Sequence, residues 1–249
     1  MSSNKRHSLI KTLQVAVPHG QPMDLATLKK HGISPFLAAK HARSGWLERL
    51  EQGVYAFAGD TLNREQCLLF LQKRITGLHV AGKTALEWQG VRHNLFSREH
   101  LKLWGENKRT KLPHWFVSRF PASFRSTTLF SPNPDFSGIV TPPGFLEGVQ
   151  VSVPERAVLE MLYEIGKSQD LEEAMNLLEN LRGLRLDVMG ELLSRCTSIK
   201  TIRLFLVLVK RTKIIDLDRL KERYSISIGS SSRWIGRMAD GTILTLPID

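Results

Sequence analysis

The first 57 residues constrain the fold most strongly, because three short helical segments there are separated by sharp breaks. Residues 7–15 have apolar side chains near helical spacing and are followed by Pro18-His19-Gly20, which breaks the chain. A second helix is predicted over 25–31, with Asp24 as its N-cap and Gly32 just beyond its end. The pattern therefore predicts short helices joined by tight turns rather than one long helix.

A third helix is predicted immediately after the second turn. Ser34 is a suitable N-cap, and Pro35 suits the first helical position because a missing backbone N–H costs nothing there. The helix ends at Ser44-Gly45. At about 100° per residue, its inner side carries Leu37, Ala38, His41 and Ala42, and its outer side carries Phe36, Ala39, Lys40 and Arg43. We expect the outer side to face a partner and His41 to pack in the core.

Residues 46–57 form two alternating stretches around a turn that contains Gly53, which predicts a β-hairpin. Two short helices joined by a tight turn and followed by a hairpin are typical of a winged helix-turn-helix, whose second helix enters the major groove of DNA. We predict that this domain occupies residues 1–94, with its core at 5–58. A larger domain is predicted over 95–249, and the fold class of the whole chain is α+β.

The distribution of charge indicates the kind of partner. A net charge of +11 indicates attraction to a polyanion, either nucleic acid or an acidic membrane surface. Residues 1–58 hold eight Lys or Arg against three acids, so the excess falls on the segment with the DNA-binding pattern. The longest apolar run, 204–209, is too short to span a bilayer, and no apolar signal segment begins the chain. We therefore expect a cytoplasmic protein that binds DNA and has no membrane partner.

The predicted DNA contacts lie on the helix-turn-helix and the hairpin, at Lys29, Lys30, Ser34, Phe36, Lys40, Arg43, Arg49 and Gln52. Arg43 or Lys40 suits guanine edges, and Phe36 suits a thymine methyl group. The two lysines of the second helix, with Arg49 and Gln52, suit phosphate groups. The alternative is a winged helix that contacts other proteins and leaves Lys40 and Arg43 as an ordinary solvated face.

A second pattern, Gly77-Leu78-His79-Val80-Ala81-Gly82-Lys83-Thr84, matches the spacing of an ATP-binding loop. That loop follows a buried strand, whereas residues 72–76 are predicted to continue an amphipathic helix that begins at 64. The bulky residues at 78–80 are also poorly suited to a backbone that curls around a phosphate. We therefore predict a short helix over 82–89 and no nucleotide cofactor.

The sequence pattern of the remaining residues predicts both helices and strands, in mixed order along the chain. Strands are predicted over 100–104, 114–120, 225–228 and 242–246. Ser152-Val153-Pro154-Glu155 is predicted to form a capping box at the start of a helix. Three further helices are predicted around 171–181, 187–193 and 199–209.

No group of residues in this larger domain predicts a reaction centre. Ser230, Ser231 and Ser232 have no evident base, and Glu160, Glu164, Glu172 and Glu173 are predicted to lie on solvated helix faces. Cys67 and Cys196 are predicted to be buried thiols, because they lack the paired spacing of a zinc site. We therefore predict no catalytic residues, no metal and no enzymatic activity.

Basic residues near the C-terminus leave three interpretations open. They are Arg203, Lys210, Arg211, Lys213, Arg219, Lys221 and Arg223. They could extend the DNA footprint, face an acidic partner, or form a solvated surface.

Three segments together resemble the AbiEi-type antitoxins of type IV toxin–antitoxin systems. They are Gly32-Ile33-Ser34 with residues 43–50 (RSGWLERL) and 53–55 (GVY), residues 78–87 (LHVAGKTALE), and residues 151–160 (VSVPERAVLE). The resemblance spans nearly the whole chain. It implies a winged helix that represses its own operon, and a C-terminal antitoxin domain that counteracts a nucleotidyltransferase toxin without forming a stable complex with it.

Three functions from different classes follow from these patterns. The first is a repressor with antitoxin activity, and the second is a winged-helix transcription factor whose C-terminal domain senses a ligand or partner. The third is a nucleotide-dependent enzyme, which would depend on Lys83. A neighbouring nucleotidyltransferase gene would separate the first from the second.

Overall fold

The computed structural model describes residues 2–91, 100–229, 234–237 and 243–246. The described residues form the helices α1 (Ser2–Ala16), α2 (Leu25–Lys30), α3 (Pro35–Arg43), α4 (Arg64–Gln72), α5 (Gly82–Trp88), α6 (His114–Val117), α7 (Pro154–Glu164), α8 (Leu171–Asn180), α9 (Leu186–Arg195), α10 (Ile199–Thr212) and α11 (Leu217–Arg223). The strands are β1 (Met23–Asp24), β2 (Leu47–Glu51), β3 (Val54–Phe57), β4 (His79–Val80), β5 (Leu101–Gly105), β6 (Ala122–Ser126), β7 (Ile139–Val140), β8 (Val151–Ser152), β9 (Trp234–Arg237) and β10 (Ile243–Leu246). The mixture of helices and strands confirms the α+β class.

The chain divides into two compact units. The N-terminal unit comprises the residues up to 76 together with 111–121 and 144–149, and the C-terminal unit comprises 77–110, 122–143 and the residues from 150 onward. Residues 111–121 and 144–149 thus return to the N-terminal unit, and residues 77–94 belong to the C-terminal unit.

The N-terminal unit contains the winged helix. Its three-stranded antiparallel sheet has the order β1-β3-β2, and β2 and β3 are the predicted hairpin. Strand β1, which the sequence did not indicate, pairs Met23 with Tyr55. Helices α1 to α3 and this sheet enclose one apolar cluster that includes Leu13, Met23, Leu28 and Phe57. The predicted winged helix-turn-helix is thus confirmed as a fold.

Two predictions next to the winged helix are wrong. Helix α4 ends at Gln72, and residues 73–76 form a turn instead of continuing it. Residues 114–120 were predicted as a strand, but α6 lies there and β6 begins only at Ala122. The rings of the consecutive residues Trp115 and Phe116 pack edge to face. Consecutive side chains of a strand point to opposite faces, so this contact indicates a helical turn.

The C-terminal unit is built on a five-stranded mixed sheet with the order β6-β5-β4-β8-β7. Strands β5 and β6 are parallel, as are β4 and β8, whereas β4 and β5 run antiparallel. Helices α5 and α7 to α11 belong to this unit, and α7 and α10 supply much of its core, including Leu159, Leu162 and Phe205. The predicted helices at 82–89, 171–181, 187–193 and 199–209 are confirmed.

Two further predictions in this unit are wrong. Ser152 does not cap α7: Val153 precedes the first turn, and the Ser152 hydroxyl donates to the Glu160 carboxylate at 2.8 Å. Residues 225–228 form no strand, and β10 pairs instead with β9 at 234–237. Thr242, at the start of the last predicted strand, lies outside the described residues.

Candidate nucleic-acid interface

The turn between α2 and α3 fixes the direction of α3. The Gly32 N–H donates to the Lys29 carbonyl at 3.0 Å, and the Ile33 N–H donates to the Leu28 carbonyl at 3.0 Å. These two bonds form a Schellman motif, which needs a left-handed residue, and Gly32 has φ of +77°. Leu28 and Ile33 are fully buried. The turn is therefore held by both hydrogen bonds and apolar packing.

Both helix starts form as the sequence predicts. The Asp24 carboxylate accepts the Thr27 N–H at 2.7 Å, and the Ser34 hydroxyl accepts the Leu37 N–H at 3.2 Å. Pro35 occupies the first turn of α3. Local capping chemistry therefore determines where each helix of the pair begins.

Helix α3 has one buried and one exposed face. Ala38 and His41 are buried, whereas Lys40 and Arg43 are exposed and Phe36 is 77% exposed. Exposure of so much of a phenyl ring is costly in water. Because α2 and α3 contain no acidic residue, the charged side chains of these two helices are all basic.

The wing is short and tightly turned. Glu51 pairs with Val54 across a turn in which Gly53 has φ of +75°, and Gln52 is exposed at the tip. The pairing shifts by one residue between Arg49 and Glu51, which marks a bulge. The wing therefore offers only a few side chains to a partner.

A groove of about 610 Å³ lies between α3 and β2. Arg43 and Arg49 line it from opposite elements, together with Glu48. The Glu48 carboxylate would repel a phosphate, but it accepts from the Arg119 guanidinium at 2.7 Å. Sequence reasoning missed Arg119, because 71 residues separate the two partners and no local pattern connects them.

All eight predicted DNA-contacting residues are exposed: Lys29, Lys30, Ser34, Phe36, Lys40, Arg43, Arg49 and Gln52. The structure brings Arg43 and Arg49 together in the groove, while the other six do not line it. The Ser34 side chain is used as the N-cap of α3. The individual contacts remain predictions.

The segment with ATP-binding spacing makes contacts within the C-terminal unit. Strand β4 lies between its two glycines, whereas a phosphate-binding loop needs the strand before the first one. The Gly82 N–H donates to the Glu160 carboxylate at 3.0 Å, and the Lys83 ammonium donates to Glu173 at 3.0 Å. The Thr84 hydroxyl bonds to the backbone at His100 and Lys102. An internal carboxylate therefore stands where the loop would hold a phosphate.

The prediction that Glu160 and Glu164 are solvated is wrong. Glu160 is fully buried and Glu164 is 8% exposed. Besides Gly82 and Ser152, Glu160 accepts from His79 at 3.1 Å and from Arg156 at 2.7 Å. Burial acts to raise the pKa of Glu160, but the charges and hydrogen bonds of His79 and Arg156 lower that pKa to about 2. The carboxylate therefore acts as an internal anion that joins β4, α5 and α7.

The remaining candidate residues differ in their surroundings. Both cysteines are buried as predicted, and burial raises the pKa of the Cys67 thiol to about 12 and that of Cys196 to about 11. Arg203 is buried and donates to the Ile228 carbonyl, so it is not part of the basic surface. The other C-terminal basic residues are exposed: Lys210, Arg211, Lys213, Arg219, Lys221 and Arg223.

The described part of the chain has neither a metal-binding cluster nor a helix that could span a membrane. There, His, Cys, Asp and Glu form no group that could hold a metal ion. No helix in that part combines the length and the apolar character that a membrane span requires.

Comparisons with known proteins agree with this description. Residues 6–97 match a family model described as the N-terminal domain of AbiEi antitoxin transcriptional regulators, and residues 98–246 match one described as an AbiEi antitoxin transcriptional regulator of a type IV toxin–antitoxin system. The crystal structure of the RV2827C protein from Mycobacterium tuberculosis aligns with a TM-score of 0.59 and 15% identity, covering 93% of this chain and 89% of that one. This likeness concerns the fold alone. A search of curated proteins found no match.

Proposed function

The chain belongs to the AbiEi family of transcriptional regulators, the antitoxins of type IV toxin–antitoxin systems, and on that premise we propose that its winged helix binds and represses the operator of its own operon. The observation that carries the proposal is the outer face of α3. Phe36, Lys40 and Arg43 are exposed there, and neither α2 nor α3 contains an acid. Such a face suits the major groove, which offers acceptor edges and thymine methyl groups.

The contacts divide by chemistry. Arg43 or Lys40 donates to guanine edges, and Phe36 packs against a thymine methyl group. Lys29, Lys30, Arg49 and Gln52 bind phosphates, and Ser34 lies where α3 begins. The Glu48–Arg119 ion pair supports this arrangement, because it offsets the negative charge within the groove that Arg43 and Arg49 line.

The antitoxin activity belongs to the C-terminal domain in this proposal. That domain counteracts a nucleotidyltransferase toxin without a stable complex. Both family matches name the AbiEi antitoxin, and the one over residues 98–246 also names the type IV toxin–antitoxin system, which supports antitoxin activity for the chain. The alternative is a transcription factor whose C-terminal domain senses a ligand or partner.

The decisive experiment measures binding of the full chain to duplex DNA from upstream of its own gene. We expect saturable binding in fluorescence anisotropy, and loss of binding in the double variant Lys40→Glu, Arg43→Glu, since it places like charge against phosphates. The matched control is Lys108→Glu, Arg109→Glu, which reverses two exposed charges in the C-terminal unit. Absence of duplex binding by the wild-type chain at low salt would refute the proposal.

A further inference from the structure

A cavity of about 470 Å³ lies within the C-terminal unit, at one end of its sheet. Gly105 and Glu106 line it at the end of β5, and Thr127 and Thr128 line it just beyond β6. Strands β5 and β6 are parallel, so the cavity lies at the carboxyl ends of a parallel pair. In open α/β sheets, ligands commonly bind outside the carboxyl ends of parallel strands, and the volume suits a small molecule.

The wall of the cavity is partly aromatic. Phe130 and Phe136 line it, and the Arg156 guanidinium lies 4.9 Å from the centre of the Phe130 ring. Planar groups of this kind favour a flat ligand that stacks on them.

The cationic side chains of the cavity already have internal acceptors. Arg156 donates to the Glu160 carboxylate at 2.7 Å and to the Ser137 carbonyl. Arg195 donates to the Phe136 carbonyl at 2.9 Å and to the Ser131 carbonyl at 2.9 Å. These hydrogen bonds hold both guanidinium groups in the wall of the cavity.

Glu106 differs from these arginines. Its side chain lines the cavity and has neither a hydrogen bond nor an ion pair within the part of the chain that the structure describes. Gly77 makes room for it: a Cβ at Gly77, where φ is +69°, would lie 2.8 Å from the Glu106 Cγ. A side chain at this first glycine of the segment with ATP-binding spacing would therefore require the Glu106 carboxylate to shift. A carboxylate accepts hydrogen bonds and donates none, so it suits a ligand with N–H donors.

We propose that this cavity binds a guanine-type base: a flat heteroaromatic ring whose edge carries two neighbouring N–H donors. The ring stacks on the aromatic wall, and the two donors bond to the two oxygens of Glu106 in a bidentate pair. Guanine has this pair at N1 and its exocyclic amino group, whereas hypoxanthine lacks the amino group and uracil lacks the paired edge.

The test is calorimetric titration of the full chain with guanosine, inosine and uridine. We expect saturable binding of guanosine, binding of inosine that is weaker by about tenfold because one charged hydrogen bond is missing, and no binding of uridine. Glu106→Gln, which replaces one acceptor oxygen with a donor at an exposed position, should weaken guanosine binding by about tenfold or more. The matched control Glu172→Gln changes an exposed carboxylate of the same unit outside the cavity and should leave binding unchanged.

A parallel titration distinguishes a free nucleoside from a base within a strand. It uses a five-nucleotide single-stranded RNA of uridines with one central guanosine, and an all-uridine strand as its control. Binding of either guanine source that Glu106→Gln weakens supports the proposal and identifies the source. Absence of saturable binding of both sources, or equal binding by the wild type and Glu106→Gln, would overturn it. None of these measurements depends on operator binding or on toxin protection.

Discussion

The carboxylate of Glu160 lies 3.0 Å from the backbone nitrogen of Gly82 and accepts its N–H at the start of α5. In an ATP-binding loop the corresponding N–H groups point at a phosphate. Here the anion belongs to α7, and it also accepts from His79, Arg156 and Ser152. The Gly82-Lys83-Thr84 sequence therefore lies at a structural junction between β4, α5 and α7.

Removing this internal anion should destabilise the protein strongly. Glu160→Ala leaves His79, Arg156 and the Gly82 N–H without their shared acceptor in a buried site. Loss of one partner of a buried ion pair costs about 3–5 kcal/mol. Urea unfolding followed by circular dichroism measures the loss, with Glu222→Ala on the exposed face of α11 as the control. A cost below about 1 kcal/mol would contradict the role of Glu160 as a junction.

Acid should remove the stabilisation that the ionised Glu160 carboxylate provides to the folded chain. Burial acts to raise the pKa of Glu160, but His79 and Arg156 hold it at about 2 in the folded chain, below its ordinary pKa of 4.5. Because the folded pKa is lowered, the stabilisation is complete above the ordinary pKa and declines as the pH falls toward 2. Wild type should therefore lose more stability between pH 5 and pH 3 than Glu160→Gln does. Parallel loss in both proteins, measured by urea unfolding at each pH, would rule out this contribution.

The winged helix could be predicted because its signals are local. Asp24 and Ser34 bond to N–H groups three residues away, and Gly32 supplies the backbone conformation that ends α2. The sequence placed Glu160 on a solvated face, however, because its partner His79 lies 81 residues away. The strand predicted at 114–120 failed for a related reason, since burial on both faces is consistent with a helix as well as a strand.

The candidate interface was predictable only in part. The helical period identified the exposed side of α3, and Lys40 and Arg43 lie on it. The helical periodicity of the sequence could not indicate that Arg119 pairs with Glu48, because that contact joins segments 71 residues apart. Spatial proximity between distant segments has no signature in a single sequence.

Operator affinity should fall steeply with salt. Exposed lysines and arginines displace condensed counterions from DNA when they bind its phosphates. A plot of the logarithm of the binding constant against the logarithm of the salt concentration then has a slope of about −0.9 for each phosphate neutralised. Lys30→Ala should reduce the magnitude of this slope by about 0.9, whereas Lys108→Ala should leave it unchanged. Anisotropy titrations between low and physiological salt give both slopes. Identical slopes for wild type and Lys30→Ala would exclude a phosphate contact by Lys30.

Base contacts and phosphate contacts should respond differently to DNA sequence. Arg43→Ala should cost about 1–3 kcal/mol on the operator and little on a random duplex, because it removes a bidentate bond to a guanine edge. Lys29→Ala should weaken binding to both duplexes alike. If Arg43→Ala weakens both equally, then α3 does not supply the sequence preference through Arg43. Competition titrations with the two duplexes directly measure the ratio of operator affinity to random-duplex affinity.

Repression and protection should separate in the full chain. A fragment ending at residue 94 is a poor test, because the N-terminal unit also contains residues 111–121, where Trp115 and Phe116 are buried. Charge reversal at exposed Lys40 and Arg43 leaves both units intact, yet like charge against the phosphates should abolish repression.

The double variant should still protect cells from the partner toxin when an unrelated promoter drives its expression, because the C-terminal domain is unchanged. A promoter-reporter assay measures repression, and a growth assay with the nucleotidyltransferase toxin measures protection. The Lys108→Glu, Arg109→Glu protein controls for charge reversal in general, and immunoblotting with circular dichroism establishes that each variant is abundant and folded. Loss of both activities in a folded Lys40→Glu, Arg43→Glu protein would mean that DNA binding is itself required for protection, because the substitutions lie in the winged helix alone.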